Sequence, residues 1–344
     1  VLTGLKIKLP FCVKDFWNSF SFPVFALAPM EDVTDTVFRE LLLSIASPGK
    51  LHLLFTEFTS VEGLCHPRGR QAVIHRLHVN DSEHDLLKQT GVKLIAQIWG
   101  VNPEKYFKAA RFIAENYSFD GIDLNMGCPV DKIVKQGACS ALIGQNALVN
   151  EIVEATREGS KLPVSIKTRT GIKSHQTEGW MAHLLTLNIS AITLHARTQK
   201  MMSLKPAEWN QIALAVKLRN EINPEIKILG NGDIESYAHG LQRIEETDAD
   251  GIMVGRGIFS NPWFFTDNDF MPETDEKLNL LEKHIHLYTQ TWGTHRNFNI
   301  LKRFFKIYVS GFEGAAALRA DLMQCNNEEQ AMGAIYNFRN LGGK

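Results

Sequence analysis

A thiol, an amide and a tight turn meet at residues 124–129, L-N-M-G-C-P, where the short apolar run F-D-G-I-D-L-N (119–125) ends. A cysteine thiol with its ordinary pKa of about 8.5 is mostly protonated at neutral pH. Cys128 is therefore better suited to giving up a proton as a general acid than to holding a metal. The competing reading, a small buried hydrophobe, stays open on these residues alone.

Lys167 and His195 close two further apolar runs, in I-K-T-R-T-G (166–171) and L-H-A-R-T (194–198). A lysine buried at such a place needs an anionic partner. A flavin ring is one candidate, because its reduced form carries negative charge that the protein must tune. A Schiff-base lysine and a structural ion pair are the others. Gln97 has the donors and acceptor to bond a ring edge. Pro29 and Met30 would give a flat ring an apolar wall, and Glu31 follows them at the same strand end. G-N-G-D (230–233) and G-R-G (255–257) bring Asn231, Gly232, Asp233, Gly255 and Arg256 to two more strand ends. Backbone N–H groups at a glycine turn before a helix, with an arginine beside them, make an anion site, and the last two loops of a barrel are the usual phosphate position. Either segment alone is also an ordinary turn.

These residues converge only if the strands that carry them run side by side. Eight short aliphatic or β-branched runs are expected as strands: Val24–Ala28, His52–Glu57, Leu94–Ile98, Gly121–Asn125, Val164–Thr168, Ala191–His195, Ile226–Gly230 and Gly251–Gly255. Their near-continuous apolar character fits parallel strands buried on both faces. Helical spacing falls between them, over Asp35–Ile45, Pro103–Asn116, Ala147–Gly159, Trp180–Leu187, Pro206–Leu218 and Ile234–Thr247, with Pro103 and Pro206 at first-turn positions. Eight strand-then-helix units predict an α/β fold, a (β/α)8 TIM barrel, rather than a doubly wound open sheet, since no G-x-G-x-x-G follows the first strand. D-N-D-F-M-P-E-T-D-E (267–276) reads as a linker, and the pattern beyond it is helical. The expected division is an N-terminal extension over 1–20 (an unassigned hairpin or arm), a barrel over 21–266 and a small all-helical domain over 277–344.

A net charge of −1 excludes a global field for nucleic acid, so any such contact needs a local basic patch. The five cysteines are odd in number, widely spaced and without a C-x-x-C. That disfavours a disulfide framework or a zinc site and points to a reducing compartment. No apolar run has the length of a membrane span, and the first residues lack a signal-peptide layout. The expectation is a cytoplasmic monomer without metal.

Six segments together resemble the tRNA-dihydrouridine synthases: L-A-P-M-E-D-V-T-D (27–35), L-N-M-G-C-P (124–129), I-K-T-R-T-G (166–171), L-H-A-R-T (194–198), G-N-G-D-I (230–234) and G-I-M-V-G-R-G (251–257). The resemblance runs from about Phe25 to Phe265, and the helical remainder is compatible with it. It implies an FMN enzyme that reduces uridines of tRNA to 5,6-dihydrouridine with NADPH. It places Pro29, Met30 and Glu31 at the flavin, Gln97, Lys167 and His195 on its ring, and Asn231, Gly232, Asp233, Gly255 and Arg256 at its ribityl phosphate. It makes Cys128 the proton donor and Asn125 the residue that holds the uracil. Two stretches depart from the family pattern. K-Q-G-A-C-S-A-L-I (135–143) has Cys139 where the family has a glycine-like residue, and A-R-T-Q-K-M-M-S-L-K-P-A-E-W (196–209) lacks the customary tyrosine and glycine.

A uridine inside folded RNA must be turned out to reach a deep site, and phosphate contacts must hold the RNA meanwhile. R-N-F-N-I-L-K-R-F-F-K-I-Y (296–308) is the expected basic patch, with Arg296, Lys302, Arg303 and Lys306. The alternative for it is an amphipathic helix with a solvated charged face. Arg169, Arg197 and Lys132 are expected to guide the strand at the mouth. The alternatives for the whole chain are another FMN barrel reductase, of the dihydroorotate dehydrogenase or ene-reductase type, and an RNA-binding barrel without a cofactor.

Overall fold

The computed structural model describes residues 15–267 and 270–341. Most of the expected extension 1–20, with Cys12, and residues 268–269 of the expected linker lie outside the described residues. Eight parallel strands form the barrel: β1 (Val24–Leu27), β2 (Leu53–Phe55), β3 (Lys93–Trp99), β4 (Gly121–Met126), β5 (Val164–Arg169), β6 (Ala191–His195), β7 (Lys227–Asn231) and β8 (Gly251–Val254). Each pairs with the next, and β1 pairs with β8, so the sheet closes on itself. A two-residue strand at Thr59–Ser60 extends the β2 side along the top of β3.

Strand residues alternate between two environments, as the two-residue period of a strand requires. Phe25 and Leu27 of β1 join the large core between strands and helices, while Val24, Ala26 and Ala28 join a small inner core with Leu53, Phe55, Leu229 and Met253. Trp17, on a single 3-10 turn at Phe16–Ser19, packs into that inner core. On the β3–β5 side the inward positions above Ile95 are polar. Gln97 is in register with Asp123, and Asn125 with Lys167. Farther round, Arg169 is opposite His195 and His195 opposite Asn231. The register alone thus gathers the chemically competent side chains over one arc of the mouth.

The expected helices are present, most with shifted ends, and two shifts have a clear cause. The helix expected from Pro206 starts at Asn210. Residues before it are held to the mouth instead: Ala207 N–H donates to Asp233 Oδ2 (2.8 Å) and Glu208 N–H to the Ala196 carbonyl (2.8 Å). The helix after β7 starts at Tyr237, where Ser236 caps it by accepting from His239 N–H. Between β2 and β3 lie helical segments at Val61–Cys65, Pro67–Val73 and Asp81–Thr90.

The C-terminal helices are Thr274–Trp292, Lys302–Tyr308, Ala315–Gln324 and Glu328–Leu341. They pack on the helix Thr36–Ile45 through Phe38, whose ring lies 5.0 Å from that of Phe304. Asp35 caps that first helix through Phe38 N–H (3.0 Å) and also accepts from Trp292 Nε1 (2.9 Å), so one carboxylate ties the barrel to the C-terminal helices. No helix of the described residues is long and apolar enough to cross a membrane.

Candidate active site

A cavity of about 370 Å³ opens at the C-terminal ends of β1 and β5–β8. Pro29, Met30, Lys167 and His195 line one part of it, and Asn231, Gly232, Asp233, Gly255 and Arg256 line the rest. A Cβ built on Gly255 would meet only Ala28, at 3.9 Å, so it would project into the open cradle. Gly232 has φ +133, a conformation open to glycine and strained for other residues. Arg256 stands at the lip, 62% exposed, on a single 3-10 turn (Arg256–Phe259). The expected helix dipole is therefore weak here, since the nearest full helix begins at Tyr237. The glycine cradle and the Arg256 guanidinium supply the attraction for an anion.

Asp233 serves this cradle indirectly. Its carboxylate accepts two bonds from Arg197 (2.6 and 2.5 Å) and lies 3.5 Å from Arg256. Arg197 in turn donates to the Lys205 carbonyl and contacts His195 Nε2 at 3.0 Å. A guanidinium has no acceptor, so His195 Nε2 accepts, and its Nδ1 carries the proton. Burial, then Lys167, Arg169, Arg197 and Arg256, hold the imidazole well below its ordinary pKa, keeping it neutral.

Lys167 donates to Asn231 Oδ1 (3.0 Å), and Asn231 Nδ2 donates to the Met253 carbonyl (2.7 Å). Burial, then Arg169, lower the Lys167 pKa to about 8, against Asp123 and Cys128, which raise it. The ammonium has further N–H groups for an electron-rich ring. Beneath it, Ser165 donates to Asp123 Oδ1 (2.6 Å), Gln97 Nε2 to Asp123 Oδ2 (2.6 Å) and Asn125 Nδ2 to Gln97 Oε1 (2.9 Å). Burial lifts the Asp123 carboxyl to about 6, against these bonds. Gln97 is fully buried in this chain and is not among the cavity-lining residues.

Asn125 shapes the turn that carries the thiol. Its Oδ1 accepts from Gly127 N–H (3.1 Å) and Cys128 N–H (3.0 Å). Cys128 is half-buried, and its pKa is lowered to about 7, chiefly by a hydrogen bond from the Cys139 thiol, then by Val130 N–H and Arg169, against burial and Glu31. The thiol is thus a stronger acid than its ordinary value suggests.

Four expected contacts are placed differently. Arg169 is 4% exposed and donates to the carbonyls of Gly127 (2.8 Å), Thr198 (3.1 Å) and Met202 (2.7 Å). It braces three loops of the mouth, and its donors are spent there rather than on RNA. Arg197 is 2% exposed and is spent on Asp233 and His195. Glu31 pairs with Arg76 outside the cavity. Arg296, read as part of the basic patch, is buried at 7%, within 3.1 Å of Asp35, 3.3 Å of Asp32 and 3.6 Å of Glu57. Its place is the seam between barrel and C-terminal helices. Lys302 is half-buried, and Arg303 is exposed and reaches Asp32 at 3.3 Å.

Two features were missed by sequence reasoning. Asp123 was visible as a charged residue at an inward position of an apolar strand. The Asp35–Glu57–Arg296 junction had no local signal, because its partners are far apart in sequence.

The model of the Dihydrouridine synthase (Dus) family matches residues 26–340, so the likeness extends through the C-terminal helices. A "Probable tRNA-dihydrouridine synthase" of Staphylococcus aureus (strain Mu50 / ATCC 700699) is 39% identical over 327 residues, 94% of this chain and 96% of its own length. "Probable tRNA-dihydrouridine synthase 2" of Bacillus subtilis (strain 168) is 38% identical over 94% of this chain and 97% of its own. Among solved structures, the old yellow enzyme homologue from Zymomonas mobilis superposes with a TM-score of 0.44 at 13% identity, covering 70% of this chain and 86% of its own. That last likeness is too loose to bear on function.

Proposed function

The chain belongs to the dihydrouridine synthase family, and from that premise we propose that it reduces uridines of tRNA to 5,6-dihydrouridine, with FMN bound in the cavity and NADPH as reductant. The observation that carries this reading is a single cavity joining a glycine cradle at Gly232, Gly255 and Arg256 to the donors Lys167 and His195. Cys128 follows β4, the strand that pairs with the β5 strand of Lys167, and is not among the residues that line the cavity. The residues fit a phosphorylated, flat, electron-rich group. Gly255 and Arg256 would hold the phosphate, Met30 would pack on the ring, and Lys167 and His195 Nδ1 would bond its edge.

Reduced FMN, when bound, supplies the hydride that carbon 6 of the uracil takes up. The chain's own residues do the rest. Cys128 gives its proton to carbon 5. Asn125 and Arg169 hold the turn that aims the sulfur, and one Asn125 Nδ2–H is left for a uracil carbonyl. Placing thiol and pyrimidine together is worth about 7–11 kcal/mol in favourable cases. Residues 21–266 would form the catalytic domain and 277–344 the tRNA-binding domain, with Lys302 and Lys306 on phosphates. The enzyme would act as a cytoplasmic monomer, where its substrate resides.

A Cys128→Ala variant is expected to keep a yellow cofactor and its reduction by NADPH. Single-turnover oxidation of the reduced variant by tRNA should fall about 10²–10⁴-fold, the usual contribution of a general acid. Undiminished oxidation would remove Cys128 from the donor role. Turnover of orotate or an enone in the absence of tRNA would favour the other reductase reading.

A further inference from the structure

Eleven positions after Cys128 the chain returns to it. The return is pinned by Ser140, whose N–H (3.3 Å) and Oγ (2.8 Å) both donate to the Cys128 carbonyl oxygen. These bonds set Cys139, the residue before Ser140, beside Cys128, and each thiol acts on the other's ionisation. Both sulfurs are free. Cys139 is fully buried, and its φ is +54, in the left-handed region that glycine occupies without strain. A cysteine whose only service was packing would be an unfavourable choice at such a backbone position. What the residue adds there is a second sulfur beside the first.

We propose that Cys128 and Cys139 form a reversible oxidation site, closing to a disulfide when the protein meets a hydroperoxide. In the first step the Cys128 sulfur attacks one peroxide oxygen. The O–O bond breaks, the other oxygen leaves as an alcohol (or as water from hydrogen peroxide) carrying a proton, and Cys128 becomes a sulfenic acid. In the second step the Cys139 sulfur attacks the Cys128 sulfur. The S–S bond forms, the S–O bond breaks, and the oxygen departs as water with the Cys139 proton. Two thiols have then given two electrons to the peroxide. A dithiol reverses the change by exchange.

The two sulfurs are unequal, and the order of steps follows from that. Cys128 is half-exposed and has Val130 N–H and Arg169 to favour its thiolate, which is the form that attacks peroxide. Cys139 is buried, and burial with the neighbouring sulfur pushes its pKa well up, so it waits as a thiol. The oxidised pair has no S–H at Cys128. Loss of uridine reduction on oxidation rests on the proton-donor role proposed above; formation of the bond does not.

The test treats the wild-type holoenzyme and a Cys139→Gly variant with hydrogen peroxide, followed by dithiothreitol. Glycine suits φ +54, so the variant is expected to fold. In the wild type, peptide mapping should find Cys128 joined to Cys139 with two hydrogens lost, and dithiothreitol should restore uridine reduction to its untreated level. In the variant, Cys128 should pass to the sulfinic acid, and dithiothreitol should restore little. A wild type that shows only sulfinic Cys128, or Cys128 joined to another cysteine, would overturn the proposal. So would equal recovery of wild type and variant. A mapped Cys128–Cys139 bond in a fully active enzyme would uphold the dithiol and refute the proton-donor role.

Discussion

Replacing Arg296 by methionine removes the only cation among the described residues within ion-pair distance of Asp35 and Glu57. Methionine keeps much of the packing over the Trp292 ring, which the guanidinium now covers at 5.0 Å. Glu57 is fully buried and Asp35 nearly so, at 6%. Breaking a buried pair by removing one partner costs about 3–5 kcal/mol, since the other charge is stranded. An unfolding entropy of about 2.1 cal/mol/K per residue makes this roughly a 4–7 °C fall in Tm for a chain of 344 residues.

The fall should depend on pH, and the sign follows from Glu57. Burial raises its folded-state pKa to about 7, above the unfolded value. The folded chain then binds that proton more tightly, so the group's contribution to stability falls as pH rises from about 4.3 through about 7. Without Arg296 the folded-state pKa rises further. Below about pH 6 the carboxyl escapes by protonation, and above about pH 8 the stranded charge costs more. Arg296→Met should therefore lose more at high pH, and adding Glu57→Gln should recover part of the loss. Thermal unfolding of the three proteins at both pH values is the assay. An Arg296→Met variant within about 1 °C of wild type at the higher pH would show that the junction does not hold the helices to the barrel.

The Cys128 assignment predicts a pH profile. A proton donor must be protonated, and the Cys139 hydrogen bond, Val130 N–H and Arg169 bring Cys128 down to about 7. Oxidation of the reduced enzyme by tRNA should slow as pH rises through about 7, approaching tenfold per unit above it; a flat stopped-flow profile up to about pH 9 would reject the thiol as donor. For RNA contact, Lys302→Glu separates charge from structure better than Arg303→Glu, because Arg303 also pairs with Asp32. The Lys302 variant should bind tRNA more weakly and lower the magnitude of the salt slope by about one, while keeping its yellow cofactor; an unchanged slope would take Lys302 off the RNA.

The barrel was legible because each of its eight strands is an apolar run closed by a polar or glycine residue. Ala191–His195 and Pro103–Asn116 have the ends that the sequence pattern predicts. Where ends moved, a contact from elsewhere in the chain decided. Asp233 holds Ala207 and keeps residues before Asn210 out of the helix. The short helices at 61–65 and 67–73 carry too few residues for a period to show, with Pro67 opening the second. In the site, Pro29, Met30, Lys167, His195 and the two glycine segments line one cavity. What composition could not tell is which polar residues face that cavity and which face each other. Gln97, Arg169 and Arg197 look alike at strand ends, yet each is consumed by a partner that only the folded register supplies.

That consumption bears on how RNA is held. A cation already satisfied by carbonyls or carboxylates releases few counterions on meeting a phosphate, so it adds little to salt-dependent affinity. Arg169, Arg197 and Arg296 are buried and bonded, and their work is to fix loops, cradle and seam. With a net charge of −1 there is no surplus field to replace them. In the proposed reading the RNA phosphates fall to lysines outside those ion pairs: Lys132 beside the Cys128 turn, and Lys302 and Lys306 on the helix Lys302–Tyr308. Among the described residues, Lys132, Lys302 and Lys306 are in none of the ion pairs that brace the mouth or the seam. On that reading the buried arginines that brace mouth and seam and the lysines that would meet the strand are separate sets, so mutating one set should leave the other's readout in place: cofactor and fold for the lysines, salt slope for the arginines.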